Sequence, residues 1–556
     1  MQDESKRRLL IVGLLLGMFF SSLDQTIVGT AMPRIIGELG GLALLTWVTI
    51  GYMLSSTTVV PIAGKLADLF GRRTVYLTGM GIFLAGSALC GTAQDMTQLI
   101  LFRALQGLGG GMLMPMSMTI VGDIFPPEQR GKWQGLMGAV FGLSSIVGPT
   151  IGGWIVDHSH WRWIFYINIP VGVVAALTIW NGLGSEKKRA GKADIDWAGV
   201  VTLVVGAVSL LLGLSLGGKE WAWGAWQTFA LFGTAAIFIT LFIFAERRAK
   251  DPLLNFDFFK NRTFLVANLV GFIQGFGMFG AIMFLPLFLQ GVVGVSATNS
   301  GNTMIPMMAA LMATSIIGGR FITKVTFRTF YMTGLALMAF GFWMMSSVSV
   351  DTTQFQAIID IIVLGLGLGL LMPSTTLAVQ TAFPPEKRGV VTAATQFFRQ
   401  IGSTLGMAIL GVVLNNRSLH YLNERFFPSL DANPALKAGP FGPLLEKAHQ
   451  DPQGLFNVLL APKALEAIPA PYRKLLTEPL KLALVDSLKY VFLAAMSILL
   501  VGVVVAVFSG KARVPPMAVK KASLEEMGKE LLAEDANCDG VPASVEPDLL
   551  RAEAAK

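Results

Sequence analysis

"GLGGGMLMP" at residues 107–115 returns as "GLGLGLLMP" at 365–373, and "FPPEQRG" at 125–131 returns as "FPPEKRG" at 383–389. Both pairs stand 258 residues apart, so one gapless offset relates them. Two motifs at one spacing point to a duplicated unit. The glycines allow close helix approach within a membrane. Pro115 and Pro373, which close the two copies of the first motif, predict a kink in each paired helix.

Composition tells what kind of unit is duplicated. The 556 residues are 53% hydrophobic and 14% charged, with mean hydropathy +0.61. Soluble domains run near ~25% charged, so the chain reads as an all-α polytopic membrane protein. Apolar runs near the ~20 residues needed to cross a bilayer core occur at 9–33, 43–63, 74–94, 98–121, 132–156, 161–182, 197–216 and 226–245. They resume at 264–289, 301–319, 329–349, 355–381, 389–414 and 486–509, fourteen in all. Alternate short loops concentrate Lys and Arg, as at Arg72, Arg73, Arg130, Lys132, Lys387 and Arg388. That bias places both termini in the cytoplasm. It also accounts for the net charge of +8 without any nucleic-acid partner. "MQDESKRRLLIVGLLLGMFF" opens like a signal peptide, but the apolar pattern continues to Pro33 with no small-residue cleavage site, so it reads as a first spanning helix. Cys90 and Cys538 suggest no disulfide framework.

The offset pairs the fourth and fifth runs with the twelfth and thirteenth. The chain therefore divides into a six-helix bundle at 1–185, two inserted spans within 186–263, a second six-helix bundle at 264–510, and a cytoplasmic tail at 511–556. The segment 415–485 forms an external loop. In the tail, "DANCDGVPASVE" at 535–546 fits the calcium-loop formula through Asp535, Asn537, Asp539, Gly540 and Glu546. Pro542 blocks the backbone position that pairs with a partner loop, and no second loop follows, so the polar tail is expected to be disordered rather than metal-binding.

Charges inside the apolar runs carry the chemistry. Asp24 costs about 2.5–3.5 kcal/mol on insertion scales where it stands. At 1.5 Å per residue it lies about 24 Å from the inner end of its span, and Arg103 about 21 Å from the same side. The two are expected to communicate, directly or through water. Protonation neutralises Asp24 whereas a bound cation favours its charged form, so proton and substrate oppose each other, as exchange requires. A purely structural ion pair is the other reading. In the second half, Asp360 and Arg399 have apolar repeat partners, Phe102 and Phe141. They either contact substrate or pair with each other, and Asp360, near the outer end of its span, equally fits a side chain that snorkels to the interface. Gln106, Gln274, Gln396 and Gln400 suit either a polar cavity or packing. In "GKLADLFGRRTVYL" (64–77), Gly64 and Gly71 permit a tight turn. Asp68 can accept from N–H groups at the start of a helix of the other half, and Arg72 and Arg73 can bridge halves or anchor the loop. "GLMGAVFGLSSIVGPTIGG" (135–153) ends in Gly148, Pro149, Gly152 and Gly153, a bend able to act as a hinge or seal, or simply as small-residue packing.

These stretches resemble the major facilitator superfamily. The 64–77 loop is similar to its signature Gly-x-Leu-x-Asp-x-x-Gly-Arg-Arg. "RALQGLGGGMLMP" (103–115) resembles the second motif, whose Arg is implicated in proton coupling. Residues 135–153 resemble the antiporter motif, with Ser144 where the family usually has Gly. "LDQTIVGTAMP" (23–33) and "WRWIFYINIP" (161–170) resemble the 14-span drug:proton antiporters of the EmrB/QacA type, with Gly29 where Asn is frequent and Met32 for Leu. The resemblance implies a major facilitator fold. It also implies export of hydrophobic, often cationic compounds across the cytoplasmic membrane in exchange for protons, with no cofactor. Export of a natural metabolite such as a siderophore, peptide or lipid is the alternative. An enzyme is not expected: there are four His and no clustered metal ligands, and "GLGGG" lacks the preceding strand and following Lys of a phosphate loop.

Overall fold

The computed structural model describes residues 4–39, 44–183, 196–217, 221–249, 252–295, 297–322, 324–428, 456, 459 and 470–513. The calcium-loop-like segment and nearly all of the expected external loop past residue 428 lie outside the described residues. Helices account for almost all of the rest. In the first half they are α1 (Glu4–Leu39), α2 (Leu45–Phe70), α3 (Arg72–Thr92), α4 (Met96–Ile124), α5 (Pro127–His158), α6 (Trp163–Tyr166) and α7 (Asn168–Gly182). Two follow as α8 (Trp197–Leu216) and α9 (Trp226–Arg248). The second half holds α10 (Arg262–Phe288), α11 (Ala297–Thr303), α12 (Ile305–Phe321), α13 (Phe327–Ser346), α14 (Gln354–Ala382), α15 (Arg388–Tyr421) and α16 (Ala470–Val507). Among the described residues, eleven helical segments are long and apolar enough to cross a membrane, and Ile305–Phe321 is a shorter apolar helix.

Helix ends follow local chemistry. Asp95 caps α4 by accepting from the Gln98 N–H at 2.8 Å, and Thr353 with Gln356 forms a reciprocal capping box on α14. The α2–α3 turn rests on Gly71, whose φ of 89° only glycine adopts without strain. Both α4 and α14 continue as helix past Pro115 and Pro373.

The duplication is visible in the packing. α2 and α3 flank α4, and α12 and α13 flank α14. α7 packs on α1 and α3, and α16 packs on α10 and α13. Across the middle, α2 meets α15 and α5 meets α12, two contacts that exchange under the 258-residue offset. The inserted pair α8 and α9 pack on each other, and α8 also touches α2 and α15. Trp226, Phe229, Ile237 and Phe244 of α9 point outward, the pattern of a helix facing lipid. At its end the buried Glu246 carboxylate accepts from the N–H groups of Leu253 and Leu254 at 3.2 and 3.1 Å.

Candidate functional site

The first half encloses a charge cluster. Asp24 is 0% exposed and Arg103 2%. Arg103 Nη1 lies 2.5 Å from Asp24 Oδ2 and also donates to Gln106 Oε1 at 2.7 Å. Asp24 Oδ1 accepts from Gln106 Nε2 and from Asn168 Nδ2, both at 2.9 Å. Asn168 in turn donates to Ser87 Oγ at 3.0 Å, and Ser87 donates to the Phe165 carbonyl at 2.8 Å. The Tyr52 ring lies under the guanidinium, 4.3 Å from centroid to Cζ. Asp24 thus takes three donors from α4 and α7 while held on α1. A buried carboxylate needs both an opposite charge and filled lone pairs to be tolerated, and this one has both. Asp24 and Arg103 come together directly, without an intervening group. Gln106 belongs to this cluster and not to a cavity. Asn168 and Tyr52 were not singled out by sequence reasoning, although Asn168 is the one amide in "WRWIFYINIP".

One end of the molecule is latched across the repeats. Asp68 Oδ1 and Oδ2 accept from the Gly389 and Val390 N–H groups at 3.0 and 2.9 Å, at the start of α15. Helix N-termini carry unpaired N–H groups and a positive dipole end, so a carboxylate is the fitting cap. Arg72 Nη1 sits 2.6 Å from Asp68 Oδ1, and Arg72 Nε donates to Asp123 at 3.2 Å. Arg388 also reaches Asp123, at 3.1 Å. Gly64 is required by contact: a Cβ there would stand 2.4 Å from Ala393 Cβ and 2.8 Å from the Gly389 carbonyl. The two arginines divide the roles that sequence reasoning left open. Arg72 bridges halves, donating to the Pro385 carbonyl at 3.3 Å. Arg73 stacks on Trp180 of its own half, 4.3 Å from the ring centre.

Gly148, in the Gly-Pro stretch of α5, packs within its own half. A Cβ on Gly148 would lie 2.1 Å from Thr26 Oγ1, so this glycine admits α1 of the same half. Gly153 faces open space, and Pro149 and Gly152 lie within the unbroken α5. The glycines that meet the other repeat are Gly138, against Leu311 and Met372, and Gly142, against Met308. At Gly148 the structure shows the small-residue packing that the sequence leaves open beside a hinge or seal; glycine occurs on several faces of α5, and packing chooses which of them meets the other repeat.

Between the halves lies a cavity of about 870 Å³ empty volume. Ser21, Ser22 and Gln25 of α1, Ser56 and Thr57 of α2, and Gln396, Arg399, Gln400, Ser403 and Thr404 of α15 supply its polar wall. Met18, Met53, Met114, Met278, Met372 and Phe279 supply the apolar wall. Of the residues expected to line a substrate cavity, Gln396 and Arg399 do. Gln274 is fully buried in α10 and does not line the cavity, nor do Asp360 and Gln106. Arg399 takes Gln396 as its partner, through Nη2 to Oε1, instead of Asp360. Asp360 sits near the start of α14, far from the turn into α15, whereas Arg399 comes only about three turns into α15, so the two lie at different depths.

Two helical repeats facing each other across a cavity, latched at one end, define the architecture of a membrane carrier. The chain belongs to the Major Facilitator Superfamily, whose family model matches residues 14–407. It is 50% identical over 505 residues to the multidrug transporter protein MdtP of Bacillus subtilis (strain 168), covering 91% of this chain and 93% of the relative. It is 38% identical to multidrug resistance protein 3 of the same organism, covering 94% and 99%. Among solved structures, the proton:xylose symporter XylE matches with TM-score 0.52 at 12% identity, covering 78% of this chain and 91% of that one. The human transporter MFSD10 matches with TM-score 0.58 at 14% identity, covering 90% and 99%. These last two likenesses are of fold alone.

Proposed function

We propose that the protein is a multidrug exporter of the cytoplasmic membrane that exchanges hydrophobic small molecules for protons by alternating access. The observation that carries this reading is the fully buried Asp24–Arg103 pair placed beside the cavity on shared helices. Asp24 is next to Gln25, and Gly110 follows Arg103 by seven residues on α4; Gln25 and Gly110 both line the cavity. A proton on Asp24 releases Arg103 from its counter-charge, and repacking of α1 and α4 then reshapes the cavity wall. The names of the Bacillus relatives support the drug-export part of the reading.

In this reading the helices make fourteen crossings of the EmrB/QacA type. They are the eleven apolar segments together with α2, α5 and the α11–α12 pair, with both termini cytoplasmic and bundles at 1–185 and 264–510. The latch of Asp68, Arg72 and Gly64 closes the cytoplasmic side. The resemblance extends the substrate range to cations, whereas the described residues of the cavity wall include no carboxylate to meet one. The test is flux of a hydrophobic dye in proteoliposomes under an imposed pH gradient. Uptake that follows the gradient and collapses with a protonophore is expected; uptake indifferent to the gradient overturns the proton part.

A further inference from the structure

Arg399 is the one charged side chain among the described residues that line the cavity. It is 4% exposed. Its Nη2 donates to the neutral Gln396, and its buried Nη1 has no hydrogen-bond partner among the described residues. Guanidinium stays protonated in proteins, so a full positive charge stands at the cavity wall without a counter-charge among the described residues. A buried ion in that condition is uncompensated. The intramembrane carboxylate of the first half cannot supply the deficit, since Asp24 is committed to Arg103, Gln106 and Asn168.

The position is also built. A Cβ on Gly275 of α10 would stand 2.1 Å from the Arg399 carbonyl, so α10 presses directly on this turn of α15. Ser403 Oγ donates to the same carbonyl at 2.9 Å. The buried Oε1 of Gln400, which lines the same cavity, has no hydrogen-bond partner among the described residues either, leaving a second amide available in the wall. Gln396, which holds Arg399, also contacts Met114 Sδ of the other repeat at 3.2 Å through Nε2. A ligand that draws Arg399 away from Gln396 therefore acts on a contact between the halves.

We infer that the cavity selects amphiphiles that carry an anionic group, a carboxylate or sulfonate, whose charge is met by Arg399 while the apolar body lies among the methionines. This inference rests on the export reading of the same cavity. An anion satisfies Nη1 with a charge-assisted bond. A cation adds like charge in a medium of low dielectric, where repulsion is strongest. The thioether side chains adapt to bodies of different shape, so charge rather than outline is the selected feature.

The experiment is fluorescence titration of the purified full chain with three hydrophobic probes: 8-anilinonaphthalene-1-sulfonate, neutral Nile red and cationic ethidium. The sulfonate is expected to bind at least tenfold tighter than ethidium. In Arg399→Gln the sulfonate-to-Nile red affinity ratio falls at least tenfold, and Arg399→Lys recovers part of it. Equal or tighter binding of ethidium by the unaltered protein overturns the inference, as does an unchanged ratio in Arg399→Gln. If Arg399→Gln does not fold, competition among the three probes on the unaltered chain decides alone. Gradient-driven flux of the same probes separates the two readings. Cation-preferring flux leaves export standing and removes the anion selectivity. Sulfonate binding without flux does the reverse.

Discussion

Arg103 and Asp24 meet at 2.5 Å in a place where neither touches solvent, and Gln106 bridges them by accepting from one and donating to the other. Such a pair is stable only while both charges are present. Removing one partner of a buried pair costs about 3–5 kcal/mol, whereas removing both together is often close to neutral.

The first prediction follows from that asymmetry. Asp24→Asn lowers the Tm of the detergent-solubilised protein and cuts gradient-driven dye flux at least tenfold. The double variant Asp24→Asn/Arg103→Gln recovers most of the Tm but none of the flux. Thermal unfolding and proteoliposome flux read the two effects separately. Recovered flux in the double variant shows the pair to be structural only.

A second prediction concerns the latch. Asp68→Ala removes the acceptor of two backbone N–H groups and the partner of Arg72. Hydrogen bonds to a charged group are worth about 1.5–3 kcal/mol each, and about 1.4 kcal/mol is a tenfold population change. Spin labels at the exposed Thr74 and Glu386 are expected to report a longer, broader distance distribution by pulsed electron resonance. An unchanged distribution removes Asp68 from the latch.

Gly64→Ala is expected to open the same end with Asp68 intact. Its added Cβ meets Ala393 and the Gly389 carbonyl, neither of which can rotate out of the way. The same pair of labels checks this, and the distance increase is expected to equal or exceed that of Asp68→Ala.

Two glycines test packing against flexibility. A Cβ on Gly109 meets backbone of α3, at 2.3 Å from Phe83 N and 2.5 Å from the Gly79 carbonyl. A Cβ on Gly142 meets the Met308 sulfur, the far part of a flexible side chain. Overpacking costs about 1–3 kcal/mol where neighbours cannot yield. Gly109→Ala is therefore expected to lower the Tm by several degrees and Gly142→Ala by much less; the reverse order refutes this account of the two sites.

How much of this was legible beforehand depends on the residue. Asp24 and Arg103 could be matched because depth along a helix is a simple product of residue number and rise. Asp68 could be aimed at a helix start because a carboxylate at a turn has few better partners. The sequence leaves Arg399 and Asp360 open between substrate contact and pairing, and it is their different depths along α14 and α15 that keep them apart. Gly148 reads as part of a hinge or seal or as small-residue packing, and its packing on α1 is a matter of which face of α5 turns inward.

Membrane residence, the repeat offset and the polar residues stranded in apolar runs were decided by the sequence alone, because each is a property of position along one dimension. "GLGGGMLMP" and its copy already told that two like bundles exist. Tertiary structure decided the partners. It set Asn168 and Tyr52 against the Asp24 pair, left Arg399 without a counter-charge, and gathered the cavity wall from α1, α2, α4, α10, α14 and α15. Those choices depend on how each helix is rotated about its own axis against its neighbours, and no local pattern specifies that rotation.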